Sequence, residues 1–311
     1  MPISPIFEKA MQREIDRVKR ALGFTLIEMI VAIVVSSILA IGLINFIDNA
    51  LTGYDSAESR NKLAQSARIA IDRLNVELHN SLPNSLRVTA VTASGDQCLE
   101  FVPVRAATTY VNPPFDAAGT SFDVIQFSPN LESVTEGYVA IYPTRVNEIY
   151  DAEHATTSGF PVIGAVEAVA SILDTVPGST QLSRITLVSI HRFSEPSPSN
   201  RLFFIDQPVS YCVTQGRLIR YTGYGFYDVQ TATEAADGVC VVSAGDRCLS
   251  SYTVGGSKML IAEGISNAGV TAFSLSPQTL ARNALVSIEF NMSSQRETVR
   301  MSHQVLTRSV P

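Results

Sequence analysis

The chain has no tryptophan, only four histidines and four cysteines, and a charged fraction of 17% over 311 residues. These shortages exclude several chemistries. His79, His154, His191 and His303 form no H-x-x-x-H or H-E-x-x-H pair, so no helical zinc site is written in the chain. There is no G-x-S-x-G elbow, no C-x-x-C, no G-x-G-x-x-G and no G-K-[ST] phosphate loop. The expectation is therefore no enzyme, no catalytic residue, no metal site and no cofactor, with calcium on acidic loops left open. Positive charge is scarce as well. Five basic residues against three acidic ones precede Gly23, a net +2, which leaves −8 for the rest of a chain of formal net charge −6. An acidic body argues against nucleic acid as a partner, because phosphates demand a basic surface.

Two further absences organise the N-terminal third. No charge occurs from Met29 to Ile47, and no proline from Met11 to Leu82. The 24 residues from Phe24 to Ile47 would span roughly 36 Å as a helix, enough for a bilayer. Arg17, Lys19 and Arg20 stand directly before them, which keeps that end cytoplasmic and sends the rest outward. The run is longer than a secretory signal core and no A-x-A site follows, so an anchor is expected. Glu28 stands at its head. A carboxylate in apolar surroundings costs several kcal/mol unless partnered, so it is a functional candidate. Beyond Ile47, Leu63, Ala67, Ala70, Ile71, Leu74 and Leu78 recur at helical steps and form one apolar stripe. Pro83 stops the helix, and Asp48, Gly53 and Tyr54 mark the one place for a break.

From about residue 84 the period changes to two. Strands are expected at Cys98–Val102, Phe122–Phe127, Tyr138–Tyr142, Arg184–Phe193 and Arg201–Asp206, with hairpins around Thr214-Gln215 and around Ser293-Ser294-Gln295. Residues 105–120 and 143–183 read as long loops, with a short helix over Val162–Leu173, and 194–200 as a loop. The fold class is α+β: a long N-terminal helix, membrane half followed by amphipathic half, packed on a mainly antiparallel sheet domain.

All four cysteines, Cys98, Cys212, Cys240 and Cys248, lie beyond the apolar run, as two disulfides in an oxidising compartment would require. Three connectivities are open, as are four free thiols. The flexible Ser243-Ala244-Gly245-Asp246 favours Cys240–Cys248, worth roughly 2–3 kcal/mol. Cys98–Cys212 would then staple the first strand to the central hairpin.

Gly23-Phe24-Thr25-Leu26-Ile27-Glu28, with basic residues before it and an apolar helix after it, closely resembles the class III signal of type IV pilins and type II secretion pseudopilins. The resemblance implies cleavage after Gly23 by the prepilin peptidase and methylation of the new amine on Phe24. It also implies that Glu28 meets the N-terminal amine of a neighbouring subunit during assembly. Residues 1–23 would be a cytoplasmic leader, 24–82 the pilin helix and 83–311 a periplasmic or extracellular head. The protein would cross the inner membrane once before entering a pilus. Implied partners are other minor pilins, the major pilin, the inner-membrane assembly platform and membrane lipid.

The body is large for a major pilin. The segments Cys98–Ala106, Tyr211–Gly225 and Glu297–Val305 are similar to those of the large J/W-type minor pilins of mannose-sensitive haemagglutinin pili. The chain departs from the family in its long leader, where Met11 is an alternative start, and in lacking a proline near Asn45, so the usual kink is not expected. A J-type minor pseudopilin of type II secretion and a pilus-tip adhesin are the alternatives.

Overall fold

The structure, a computed structural model, describes residues 25–92, 95–125, 137–150, 162–173, 176, 178, 182–226, 230, 257–267, 269–277, 283–294 and 297–307. Two compact units divide it, Met1–Glu58 and Ser59–Pro311, and each is taken by itself.

Helix α1 runs Leu26–His79 without interruption. No break occurs at Asp48, Gly53 and Tyr54, the one place the sequence offers for it. A single glycine costs a helix only about 1 kcal/mol, and just before Gly53 the Thr52 hydroxyl donates back to the Asp48 and Asn49 carbonyls at 2.9 and 3.0 Å. The helix ends four residues before Pro83. Its last turn tightens, with the Asn80 and Ser81 amides donating to Glu77 and Leu78 carbonyls three residues back.

After α1, the strands in chain order are β1 Arg87–Val88, β2 Gln97–Phe101, β3 Val104–Val111, β4 Gly119–Ile125 and β5 Tyr138–Ala140, followed by the one-turn helix α2 Asn147–Tyr150. Then come β6 Val162–Gly164, β7 Val166–Leu173, β8 Leu182–Phe193, β9 Arg201–Ile205, β10 Val209–Thr214 and β11 Arg217–Thr222. The last four are β12 Ser257–Glu263, β13 Phe273–Ser276, β14 Leu285–Ser294 and β15 Glu297–Leu306.

Within the second unit, the stripe Leu63, Ala67, Ala70, Ile71, Leu74 and Leu78 is the buried face of α1. Two sheets cover it, ordered β1-β2-β10-β11-β12 and β13-β14-β15. Leu99 and Phe101 of β2, Tyr211 of β10, and Val286, Ile288 and Phe290 of β14 join the helix stripe in one core. The β14 alternation is therefore a packing requirement: every second side chain meets the core. Arg60 pins the last hairpin to the helix by its 2.7 Å ion pair with Glu297. The β10–β11 hairpin turns at Gln215-Gly216, one residue later than the sequence suggests. Both residues are left-handed, at φ 49° and 75°, as a two-residue type I′ turn demands.

β2 and β10 are neighbours in the first sheet, with Phe101 opposite Val209, yet everything from 102 to 208 lies between them in sequence. That stretch is an inserted body. Its strands pair β4-β3-β9-β5-β7-β8, and β8 pairs back onto β4, which closes a six-stranded antiparallel ring. β6 runs parallel to the end of β8 outside the ring. Tyr110, Phe122, Val139, Val169, Leu187 and Phe204, one from each strand, meet in the ring's own core.

The expected loops at 105–120 and 143–183 are thus wrong over β3, β6 and β7, and Val162–Leu173 is strand instead of helix. Val162, Ile163, Val166, Val169 and Ile172 are β-branched, and β5 on one side and the next strand, β8, on the other supply the hydrogen bonds of β7.

The ring also packs outward onto the first sheet and the helix end. Ala140 of β5, with Phe203 and Ile205 of β9, buries its side chain against Leu82, Val102, Ile149 and Tyr150. Beside this seam lies a buried charged network. Arg87 Nε donates to Glu100 Oε2 at 2.6 Å and the Tyr224 hydroxyl donates to Glu100 Oε1 at 2.8 Å. The Arg87 guanidinium lies 3.7 Å from the centre of the Tyr150 ring, whose hydroxyl donates to the Ser85 carbonyl at 2.7 Å. Burial pushes the Tyr150 and Tyr224 hydroxyls well above their ordinary values.

Candidate functional site

The N-terminal site begins at Thr25, immediately before α1. Its hydroxyl oxygen accepts the Glu28 backbone N–H at 3.3 Å, an N-cap bond to the third residue of the helix. Thr25-x-x-Glu28 therefore has the spacing of a capping box, and Glu28 lies in the first turn, where a carboxylate is favoured by the positive end of the helix. Sequence reasoning misses Thr25 as a working residue, although the T-x-x-E spacing is the signal for it. Glu28 is solvent-exposed, and among the described residues its carboxylate takes part in no ion pair. Gly23 and Phe24 lie outside the described residues.

Next along α1, every large hydrophobic residue from Leu26 to Ile47 is 44–79% exposed. The helix is long and apolar enough to cross a membrane by length and composition. An apolar surface exposed on all sides is stable only in lipid or among other apolar helices. The membrane stretch and its one acidic side chain thus belong to the same helix, and the capped first turn fixes where that side chain starts.

Elsewhere the candidates divide. Cys98 and Cys212 are register mates on β2 and β10 and form a disulfide, 1% and 0% exposed, with Cα atoms 4.0 Å apart. It closes the insertion at its root. Cys240 and Cys248 lie outside the described residues, as does His154. His79 is exposed at the end of α1, with Nδ1 2.9 Å from the Asn75 carbonyl. His303 sits on β15 opposite Ile288, and His191 is buried in the wall of the ring.

A cleft of about 600 Å³ opens where the end of α1 meets β11 and the root of the insertion. Its charges already satisfy one another: Arg105 pairs with Asp206 at 2.5 Å and Arg220 with Glu77 at 3.0 Å. It holds no nucleophile beside a base. Among the described residues no three His, Cys, Asp or Glu side chains converge as a metal site.

No curated protein and no solved structure matches the chain. Residues 18–44 match the prokaryotic N-terminal methylation motif. That span takes in Lys19 and Arg20 of the basic flank, Gly23, Phe24, Glu28 and the apolar run as far as Ile44. The motif is that of pilin-like proteins, which are structural subunits and not enzymes. It implies processing by the prepilin peptidase and engagement with pilus machinery, and with the apolar helix it points to anchoring in the inner membrane or a pilus. The methylation motif at residues 18–44 heads an apolar helix whose second half packs beneath antiparallel sheets, a pilin-like α+β arrangement.

Proposed function

We propose that the protein is a minor type IV pilin that acts in pilus assembly, in an initiating or tip complex of a mannose-sensitive haemagglutinin-type pilus, a reading supported by segments similar to those of the biogenesis protein MshO. Residues 1–23 are a leader, 24–82 the assembly helix and 83–311 the head. The observation that carries this reading is the continuity of α1. The half that lacks any cover begins at the Thr25 cap and the Glu28 carboxylate, and the other half is the spine of the folded head.

Cleavage after Gly23 would place a free ammonium one residue before Thr25. That charge and the positive end of the helix would then both lie in apolar surroundings, where each needs a carboxylate. Glu28 of a neighbouring subunit supplies it, and the helix passes from lipid into a bundle without its apolar face meeting water. The ring inserted between β2 and β10 enlarges the head beyond what a repeating shaft subunit needs, which supports a terminal position.

The test is Glu28→Ala. Membrane insertion should be unchanged, since an alanine lowers the cost of burial. Co-purification with partner subunits and the number of pili should fall at least about tenfold, the loss expected when one member of a desolvated charge pair is removed. Unchanged co-purification and piliation would refute the role given to Glu28.

A further inference from the structure

The assembly reading leaves open which surface of the head meets a partner. The sheets of the head end in very different edges. β1 is two residues long and β13 four. β12 carries Lys258 and a register shift against β11. The ring closes on itself apart from the three-residue β6. β15 differs from all of these. Its ten residues pair with β14 in one continuous register, with no bulge, proline or lysine. Among the described residues no strand pairs with its other side.

The alternation of the ladder fixes which backbone groups face that open side. The Thr307 amide donates to the Ala284 carbonyl at 3.0 Å, so Thr307 belongs to the bonded set of an antiparallel pair, as does every second residue before it. That set contains Val299, Met301, His303 and Val305. The far side of β14 agrees: the Asn291 carbonyl accepts the Ser266 amide at 2.7 Å, and the Glu289 amide donates to the Ala272 carbonyl at 2.8 Å, both away from β15. Hence Thr298, Arg300, Ser302, Gln304 and Leu306 each direct one N–H and one C=O outward from the sheet. All five residues are exposed. A row of donors and acceptors at this spacing is matched by another extended backbone.

The two faces of β15 narrow the occupant. On the core side, Val299 and Met301 pack against the core of the head yet stay half-buried. An added strand would set every second side chain beside them and complete their cover. On the outer face, the row Thr298, Arg300, Ser302, Gln304 and Leu306 holds one cation and no anion. The Arg300 side chain is 69% exposed and contacts Glu289 through Nη2 at 2.8 Å. A second β15 laid against this row brings another arginine and no carboxylate. A different strand with an acidic side chain near Arg300 complements it.

We infer that the free edge of β15 is a docking site for one extended strand of a different pilin-like subunit. That strand turns apolar residues toward Val299 and Met301 and polar ones outward, with an acidic residue near Arg300. The inference rests on the assembly reading and names the surface through which it operates.

Amide hydrogen exchange tests it on the full chain in detergent, alone and in the complex co-purified from membranes of a piliated host. In the protein alone, Thr298, Arg300, Ser302, Gln304 and Leu306 should exchange fast, and Val299, Met301, His303 and Val305 slowly. In the complex the first set should slow by at least about tenfold. Unchanged exchange in the complex would overturn the inference. Slow exchange of that set in the protein alone would overturn it too, and sedimentation as a dimer would then assign the edge to a second copy.

Ser302→Pro is the matching variant. The Ser302 N–H takes no part in the β14 ladder, so proline leaves that ladder intact while removing a donor from the middle of the edge. Melting, membrane insertion and leader removal should match the wild type, and co-purification with partner subunits should fall at least about tenfold. Glu28→Ala, assayed beside it, separates the two readings. Loss with Glu28→Ala and none with Ser302→Pro removes the docking edge and leaves the assembly reading standing. A wild type that recovers no pilin-like subunit removes both. The exchange comparison needs no variant, so it decides the matter even where the proline unfolds the head.

Discussion

Replacing Cys98 and Cys212 together with alanine should lower the unfolding free energy by about 4–5 kcal/mol, the chain-entropy value for a loop on the order of 100 residues. The two cysteines stand 114 residues apart in sequence yet directly opposite each other in the β2–β10 ladder. Everything in the inserted ring lies inside the loop they close. Without the bond, the unfolded chain gains the freedom of that whole segment, and the folded state must bring β2 and β10 together unaided. The substitution also removes sulfur atoms packed against Tyr221 and Tyr224, so the loss does not rest on entropy alone. Urea titration of the head should show an earlier midpoint, and thermal melting a fall of about 10–15 °C. A loss under about 1 kcal/mol would mean that the seam between ring and sheet fixes the insertion without help from the disulfide.

The second large effect concerns Arg87 and Glu100. Their side chains are 12% and 3% exposed, and they touch at 2.6 Å. Desolvation is the dominant influence on Glu100. It outweighs the attraction of Arg87 and the hydrogen bonds from Arg87 and Tyr224, and it holds the carboxyl above its ordinary 4.5. The native state thus binds that proton more tightly than the unfolded chain. This contribution to stability is fully present below the ordinary carboxylate range and is lost as pH rises through the raised native value.

At neutral pH the pair is costly to bury yet worse to break. Arg87→Met alone or Glu100→Leu alone should each destabilise by about 3–5 kcal/mol, since each leaves a buried charge without its partner. The double substitution should recover most of that loss. In it Tyr224 keeps Ser210 as a hydrogen-bond partner at 2.7 Å, and a methionine at 87 still meets the Tyr150 ring. A double-mutant cycle measures the coupling directly. Additive single losses would show that the two side chains act independently.

What the sequence discloses and what it conceals follow from how far apart the partners lie. All six buried positions of α1 in the head are legible, because a helix carries its periodicity within one segment. The β14–β15 hairpin is legible for the same reason: β14 alternates without a slip against a partner a few residues away. Four strands of the inserted ring, β4, β5, β8 and β9, are legible as strands, but their closure into a ring is not. β9 buries Leu202 and Phe204 in the ring and Phe203 and Ile205 in the seam, so it shows a run of apolar residues and no alternation. β3 finds its partner β9 nearly a hundred residues later, and its run of small, at most half-buried alanines and threonines looks like loop. Nothing local says that β2 and β10 are neighbours. Cys98 and Cys212 are the exception, since a preferred disulfide pairing is a statement about distance in space.

At the N-terminal site the order is reversed. Glu28 and its apolar surroundings stand out in the sequence, whereas the Thr25 cap is recognised once the helix start is seen. Arg87 and Glu100 escape notice because each is an ordinary strand charge until the β1–β2 register places them opposite one another.

The central claim is that this chain is processed and assembled as a pilin, and the mass of its mature N-terminus tests that most directly. Protein purified from the membrane or pilus fraction of a host with an active prepilin peptidase should lack residues 1–23 and begin at Phe24, with one methyl group on the amine. A Gly23→Ala chain should keep its leader. Recovery of the wild type at full length, or cut at another position, would contradict the account.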